Sequence, residues 1–414
     1  MRPVLCPRRL SSLVLVLVAL AAGTLAAAET ASAPAATRPR VEVVFCLDTT
    51  GSMGGLLAGA QAKIWSIVNG IATAKPVPEI KVGLVGYRDR GDAYITQLTD
   101  LTADLDAIHT KLFGLQAGGG GDGPESVNQA LHEAVHKMSW SPKGPKVYRV
   151  IFLVGDAEPH MDYPQDILYP DICKQAVERD IVVNTIRCGD DAGCGKHWQQ
   201  IADRAEGRFT TVAQSGGVQV VSTPFDARLA ELSGKLVGTS VYAGSADKRE
   251  RAEAAAKKAI AASEEAAGGG DASALAVEAD KGEFRARSAA AACDSAGPAG
   301  AAGGMGMGSD VGEADLLGEF AREGGKALEK VKETDLSEEM RKMTPAERQA
   351  LLEKKLAERK AIQDEIDATS KKRAEFLREE SRKKGSGDTG FDAVVLQMLK
   401  EQGSKRGLTY EDSK

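Results

Sequence analysis

Three short stretches of this chain combine carboxylates and hydroxyls in a way that suits a hard divalent cation. The first is Asp48-Thr49-Thr50-Gly51-Ser52-Met53, where hydroxyls at alternate positions follow an aspartate, so an extended turn would aim Thr50 and Ser52 to one side. The second is the glycine run 118–121 followed by Asp122-Gly123-Pro124-Glu125, and the third is Val154-Gly155-Asp156 at the end of an apolar run. Magnesium, calcium and manganese all favour oxygen ligands, and magnesium demands a near-octahedral set. Together the three loops would make one acidic, hydroxyl-lined cleft for such a cation.

A rival pattern is His132-Glu133-Ala134-Val135-His136, which has the H-E-x-x-H spacing of zinc peptidases, with Glu158 downstream as a third ligand. However, Val127, Leu131, Ala134, Val135 and Met138 form the apolar stripe of that helix and turn both histidines to its flank. A surface pair is the simpler expectation. Arg88-Asp89-Arg90-Gly91-Asp92 sits at a turn near the carboxylate loops and can shape their rim, and a charged hairpin turn accounts for its Arg-Gly-Asp tripeptide. Cys188 and Cys194 bracket a flexible loop and are either a disulfide or two free thiols.

The elements that must position these residues read as a doubly wound, Rossmann-like α/β domain. Nearly continuous apolar strands are expected at Val41 to Asp48, Ile80 to Tyr87, Tyr148 to Asp156, Ile181 to Arg187 and Arg208 to Val212, alternating with helices, as a mostly parallel buried sheet requires. Between Tyr87 and a further strand, Tyr94 to Leu98, the connection is too short for a helical crossover, which predicts one antiparallel edge strand.

Motif, chain order and strand context together resemble the von Willebrand factor type A family. Its metal ion-dependent adhesion site uses D-x-S-x-S, a later threonine and a later aspartate. Asp48, Thr50 and Ser52 match the first element, with threonine keeping the hydroxyl of the first serine, and Asp156 matches the last. Where the family usually offers the later threonine, this chain has Asp122 and Glu125 in a sequence resembling the GGGDxPE form of hemicentin-like and alpha-kinase-linked members. The resemblance covers about residues 40 to 240 and implies a cation-dependent protein-binding module, with Asp48, Thr50, Ser52 and Asp156 as ligands together with Asp122 or Glu125, the choice between these two left open, and magnesium as the first choice of metal. An added carboxylate tightens cation binding and weakens its attraction for an acidic ligand from a partner.

Length and composition frame this core. The chain has 414 residues, 45 of them glycine, only 5% aromatic, and a net charge of -6. That charge gives no general attraction to nucleic acid or anionic lipid. The segment 1–28 has arginines, an apolar run and small residues before Glu29, as in a cleaved signal peptide, which predicts an exported, periplasmic or secreted protein with no stable membrane insertion after cleavage. Its removal leaves Cys46, Cys173, Cys188, Cys194 and Cys293, an odd number.

After a linker at 29–40 and the α/β domain at 41–242, composition shifts. Residues 243–334 read as an Ala/Gly-rich linker with helical segments, and 335–384 as a charged, solvated helical region, coiled or hairpin-like, with capping boxes at Asp335 to Glu338 and Thr344 to Glu347. Residues 385–414 hold an amphipathic helix whose face Phe391, Val394, Val395, Met398 and Leu399 must dock, on a partner if not on this chain. The fold expectation is thus an α/β domain followed by a largely helical, partly disordered C-terminal region. The function expected is binding of an unidentified protein through a cation, without catalysis. The alternatives are a metal-free assembly factor that oligomerises through its helical tail and, last, the zinc peptidase.

Overall fold

The computed structural model describes residues 38–121, 123–218, 220–294, 309–384 and 390–410. The expected leader, Asp122 and the Gly/Ala run at 299–308 lie outside the described residues.

In chain order, β1 (Arg40–Asp48) leads into α1 (Gly54–Ala72) and β2 (Glu79–Tyr87), and β3 (Thr96–Thr102) into α2 (Leu105–Gly114) and α3 (Val127–His136). Then follow β4 (Val147–Gly155), α4 (Tyr169–Glu178), β5 (Ile181–Cys188), α5 (Ala192–Arg204), β6 (Phe209–Val212) and α6 (Asp226–Val237). The strands form a six-stranded sheet in the order β3-β2-β1-β4-β5-β6. Every pairing is parallel except β2 with β3.

The antiparallel edge is where the short connection placed it, but β3 starts two residues later than expected, at Thr96. Tyr94 is used elsewhere: its hydroxyl lies 2.7 Å from Thr49 Oγ1, and its ring carries the Arg88 guanidinium at 4.5 Å. It belongs to the loops above the sheet.

Alternation along β1 fills two cores. Val41, Val43, Phe45 and Leu47 join the cluster that includes Leu56, Ile67 and Val68 of α1, while Val44 and Cys46 face Leu131, Ile172 and Trp198 of α3, α4 and α5. Cys188 and Cys194 are both buried and form no disulfide with each other.

The C-terminal part is helical, as expected, and its helices pack on one another and on the α/β domain, while most of the segment 345–383 stays exposed. The helices α7 (Ala246–Gly269) and α8 (Ala272–Asp294) form a hairpin, and α8 packs on α1 and α6. Short helices α9 (Ser309–Ala314), α10 (Leu317–Glu323), α11 (Gly325–Lys330) and α12 (Glu338–Arg341) precede the long α13 (Pro345–Lys384), which rests on α6 and α8. Two apolar clusters hold this layer, one with Leu232, Leu236, Val311 and Ile366 and one with Leu317, Phe320 and Leu352, and buried charges join its helices as well. Arg373 of α13 meets Asp226 at 2.7 Å, Asp280 at 2.6 Å and Glu283 at 3.3 Å. Arg359 meets Asp315 at 2.6 Å, and Asn69 of α1 donates to Glu283 at 2.7 Å. Burial pulls the Arg373 guanidinium down, but Asp280, Glu283 and Asp226 outweigh it and hold its pKa above the ordinary value.

The box at Thr344 forms: Thr344 N donates to Glu347 Oε2 at 2.7 Å, and Glu347 N to Thr344 Oγ1 at 3.3 Å, with Pro345 opening α13. The box at Asp335 does not. Ser337 caps α12 instead, accepting from Met340 N at 3.2 Å.

The last helix, α14 (Phe391–Gly403), docks on its own chain. Phe391, Val395, Met398 and Leu399 are buried in the core of α1 and β1, with the Phe391 and Phe45 rings 6.3 Å apart. Leu396 crosses α1 at Gly70, where a Cβ would come within 2.2 Å of Leu396 Cδ2, so a larger residue there would force the leucine side chain to shift. At the far end Arg406 pairs with Asp180 at 2.5 Å, and Thr409 exchanges backbone hydrogen bonds with Lys75.

Candidate functional site

Register brings the first and third loops together. Asp48 ends β1 opposite Tyr87 of β2, and Leu47 lies opposite Val154 of β4, so Asp48 and Gly155-Asp156 leave the sheet side by side. The chain leaves β1 through α1 toward β2, while β4 lies on the other side. Such a divergence at the carboxyl edge opens the crevice where α/β sheets take ligands. The strands approach so closely that a Cβ at Gly155 would lie 2.5 Å from the Tyr87 hydroxyl and 3.1 Å from Asp48 Oδ2.

Asp48 forms the floor of this crevice and is fully buried. Its Oδ1 accepts from Thr50 N at 2.8 Å and from Thr50 Oγ1 at 2.6 Å, while Oδ2, near the Asp156 backbone, has no well-formed hydrogen bond. Burial pushes the carboxyl up to about 7; the Thr50 bonds and a weak bond from the Asp156 backbone oppose this, and the Asp156 charge reinforces it. Leaving a buried carboxylate oxygen without a donor is costly, and a cation beside it relieves that cost.

The other candidates converge around this floor. Thr50 Oγ1 is 3.4 Å from Ser52 Oγ. The second loop crosses above, with Gly51 N donating to Gly119 O at 3.3 Å and Gly118 N to Thr49 O at 3.0 Å. Gly120 lies between Thr50 and Glu125, for a Cβ there would be 3.4 Å from Thr50 Cβ and 3.6 Å from Glu125 Oε1. Glu125 is buried and fixed through its backbone, its N–H donating to Glu158 O at 2.9 Å and its carbonyl accepting from His160 N at 3.0 Å. Thr50, Ser52, Glu125 and Asp156 line a cleft of about 440 Å³, joined by Glu158 and Asp191. Asp122 lies outside the described residues. A buried carboxylate with an orphaned oxygen, two hydroxyls and further carboxylates make a hard oxygen donor set, and these residues fit a divalent cation.

The Arg88–Asp92 turn holds the loops in place. Arg88 is buried, donating from Nε to Thr49 O at 3.1 Å and from Nη2 to Gln116 O at 2.7 Å. Asp89 accepts from Ser126 Oγ at 2.9 Å and from the Tyr163 hydroxyl at 2.8 Å. Asp92, the acid of the Arg-Gly-Asp tripeptide, accepts from Gly120 N at 3.1 Å. This turn binds the first loop to the second and to Tyr163 beyond the third, and the tripeptide's carboxylate is engaged by the Gly120 N–H.

The H-E-x-x-H residues lie on α3 with other partners. The His132 and His136 rings are 4.7 Å apart, and His136 Nε2 is 2.5 Å from Gln175 Oε1. Glu133 accepts from Lys137 at 2.7 Å and from Gln129 at 3.3 Å. Glu158 instead lines the cleft, 3.9 Å from His197 Nε2. Among the described residues no three His, Cys, Asp or Glu side chains are grouped to hold a metal, so a cation in the cleft would rest on hydroxyls as much as on carboxylates.

Sequence reading missed Gln214, whose Nε2 donates to Asp156 Oδ2 at 2.5 Å. The available signal was its position just past β6, at the same carboxyl edge as the other loops.

Comparison with known proteins matches residues 42–224 to the family described as the von Willebrand factor A domain. A curated relative, an ariadne-like RING finger protein of Acanthamoeba polyphaga mimivirus, is 28% identical over 120 residues, which is 29% of this chain and 11% of that protein. Among solved structures, proximal thread matrix protein 1 of the mussel byssus is 16% identical with a TM-score of 0.33, covering 43% of this chain and 42% of its own. The SpRpn10 VWA domain is 13% identical with a TM-score of 0.33, covering 42% of this chain and 89% of its own.

Proposed function

Residues 42–224 form a von Willebrand factor A domain, a kind of domain that mediates protein interactions, and from that premise we propose that the cleft between β1 and β4 holds a divalent cation, magnesium first, through which an exported protein binds a protein partner without catalysis. Asp48, Thr50, Ser52 and Asp156 would hold the ion, with Glu125 or Asp122 completing the shell. The bound cation would supply a fixed positive centre with a coordination position for a partner's oxygen. The observation that carries the reading is the fully buried Asp48, with one oxygen satisfied by Thr50 and the other facing the Asp156 backbone without a well-formed hydrogen bond.

Thermal unfolding with magnesium, with manganese and with chelator tests the cation. Stabilisation of about 2.7 kcal/mol is expected at a hundredfold excess over Kd, and none in Asp48→Ala. Equal melting with metal and with chelator rejects the reading. Pull-down from envelope or secreted fractions with wild type and Asp48→Ala, with magnesium or chelator, tests the partner. Only proteins retained by wild type with magnesium support it.

The assembly-factor alternative receives less support. The apolar face of α14 is spent inside the chain's own core and not left for oligomerisation.

A further inference from the structure

Gln214, outside the residues assigned to the cation, already occupies one of them. Its Nε2 donates to Asp156 Oδ2 at 2.5 Å and reaches Ser52 O at 3.5 Å, so it spans the first and third loops. The other end of the carboxamide lies over Gly189, where a Cβ would come within 2.3 Å of Gln214 Oε1 at a φ of +76°. Glycine at 189 makes the seat for this side chain.

The loop bearing Gln214 is clamped on two sides. On one side it lies against the first turns of α1: a Cβ at Gly55 would be 3.1 Å from Ser215 Cα, and one at Gly59 would be 2.9 Å from Val218 Cγ2. On the other side, Phe391 N donates to Gly216 O at 2.9 Å, and a Cβ at Gly390 would be 3.3 Å from Gly217 O. The first turn of α14 is itself fixed by Phe391 against Phe45 and by Asp392 to Lys63 at 3.4 Å. One continuous set of contacts therefore runs from the C-terminal helix, through residues 214–217, to Asp156.

A carboxamide N–H and a cation compete for the same carboxylate oxygen. Resting on the cation reading above, we infer that Gln214 is the resident competitor for Asp156 and that the first turn of α14 holds it there, so that filling the cleft and seating the C-terminal helix oppose each other. By linkage, whatever loosens α14 favours the cation, and the cation loosens α14 to the same degree.

The test measures manganese binding by calorimetry to the full chain as wild type, Gln214→Ala and Asp48→Ala, with hydrogen exchange of the peptide spanning 390–399. Gln214 is exposed, so its truncation leaves the core intact. Binding about tenfold tighter in Gln214→Ala is expected, the scale of one hydrogen bond to a charged group. Exchange at 390–399 is expected to rise on adding manganese to wild type and to stay unchanged in Gln214→Ala. Equal affinity overturns the inference, and weaker affinity in Gln214→Ala overturns it by making the carboxamide oxygen a ligand. Unchanged exchange in wild type at saturating manganese overturns the link to α14. If wild type, Gln214→Ala and Asp48→Ala all fail to bind, the cation reading itself is wrong and the inference falls with it. Binding by wild type with no gain in Gln214→Ala sinks the inference alone.

Discussion

Replacing Asp48 by asparagine should make the metal-free protein more stable, and increasingly so as pH rises. Asp48 is fully buried, and its carboxyl is held at about 7 against an ordinary 3.8. The folded state therefore binds this proton more tightly than the unfolded state. The contribution of this group to stability is fully present below about 4, falls as pH rises, and is fully lost once pH passes about 7. The gap between the two values corresponds to roughly 4 kcal/mol at alkaline pH. Asp48→Asn cannot ionise, yet its side-chain oxygen can still accept from Thr50 N and Oγ1, and the new amide points toward the Asp156 side. Urea unfolding in chelator should show a gain of about 1–2 kcal/mol at pH 5, rising to about 4 kcal/mol at pH 8. The same variant should lose all stabilisation by magnesium, since residues kept for binding commonly cost stability. A gain that does not change with pH, or a loss at pH 8, would refute the claim that a buried, donor-poor carboxylate lies at this floor.

Two further outcomes test the C-terminal layer. Phe391→Ala should destabilise the chain by about 3–5 kcal/mol in urea unfolding, as removal of a buried aromatic does; a cost under about 1 kcal/mol would return α14 to the status of a surface helix awaiting a partner. Arg373→Ala leaves Asp226, Asp280 and Glu283 buried without their cation and should cost about 3–5 kcal/mol. High salt should not mimic that loss in wild type, because buried pairs are screened little; equal loss by salt alone would place the cluster in solvent.

The linear sequence determined the α/β core and most of the cleft. Strands ending in Asp48 and Gly155 are apolar enough to be buried centrally, and a parallel sheet must bring their carboxyl ends to one edge, so loop positions alone place Asp48, Thr50, Ser52 and Asp156 together. The Arg88–Asp92 turn was legible as rim, but not as the brace that ties the loops to one another.

Tertiary structure alone decided the rest. In residues 243–384 the apolar positions are too irregularly spaced to declare which face is buried, although Leu352 and Ile366 are, and Arg373 buries with Asp280 and Glu283 in pairs that charge read along a chain does not reveal. The amphipathic face of α14 was visible from its sequence. Its occupant was not, because Gly70 and Phe45, which receive it, lie more than three hundred residues away. Gln214 has no motif around it. It reaches Asp156 only because the loop after β6 is pressed between α1 and α14, a contact that no local pattern encodes.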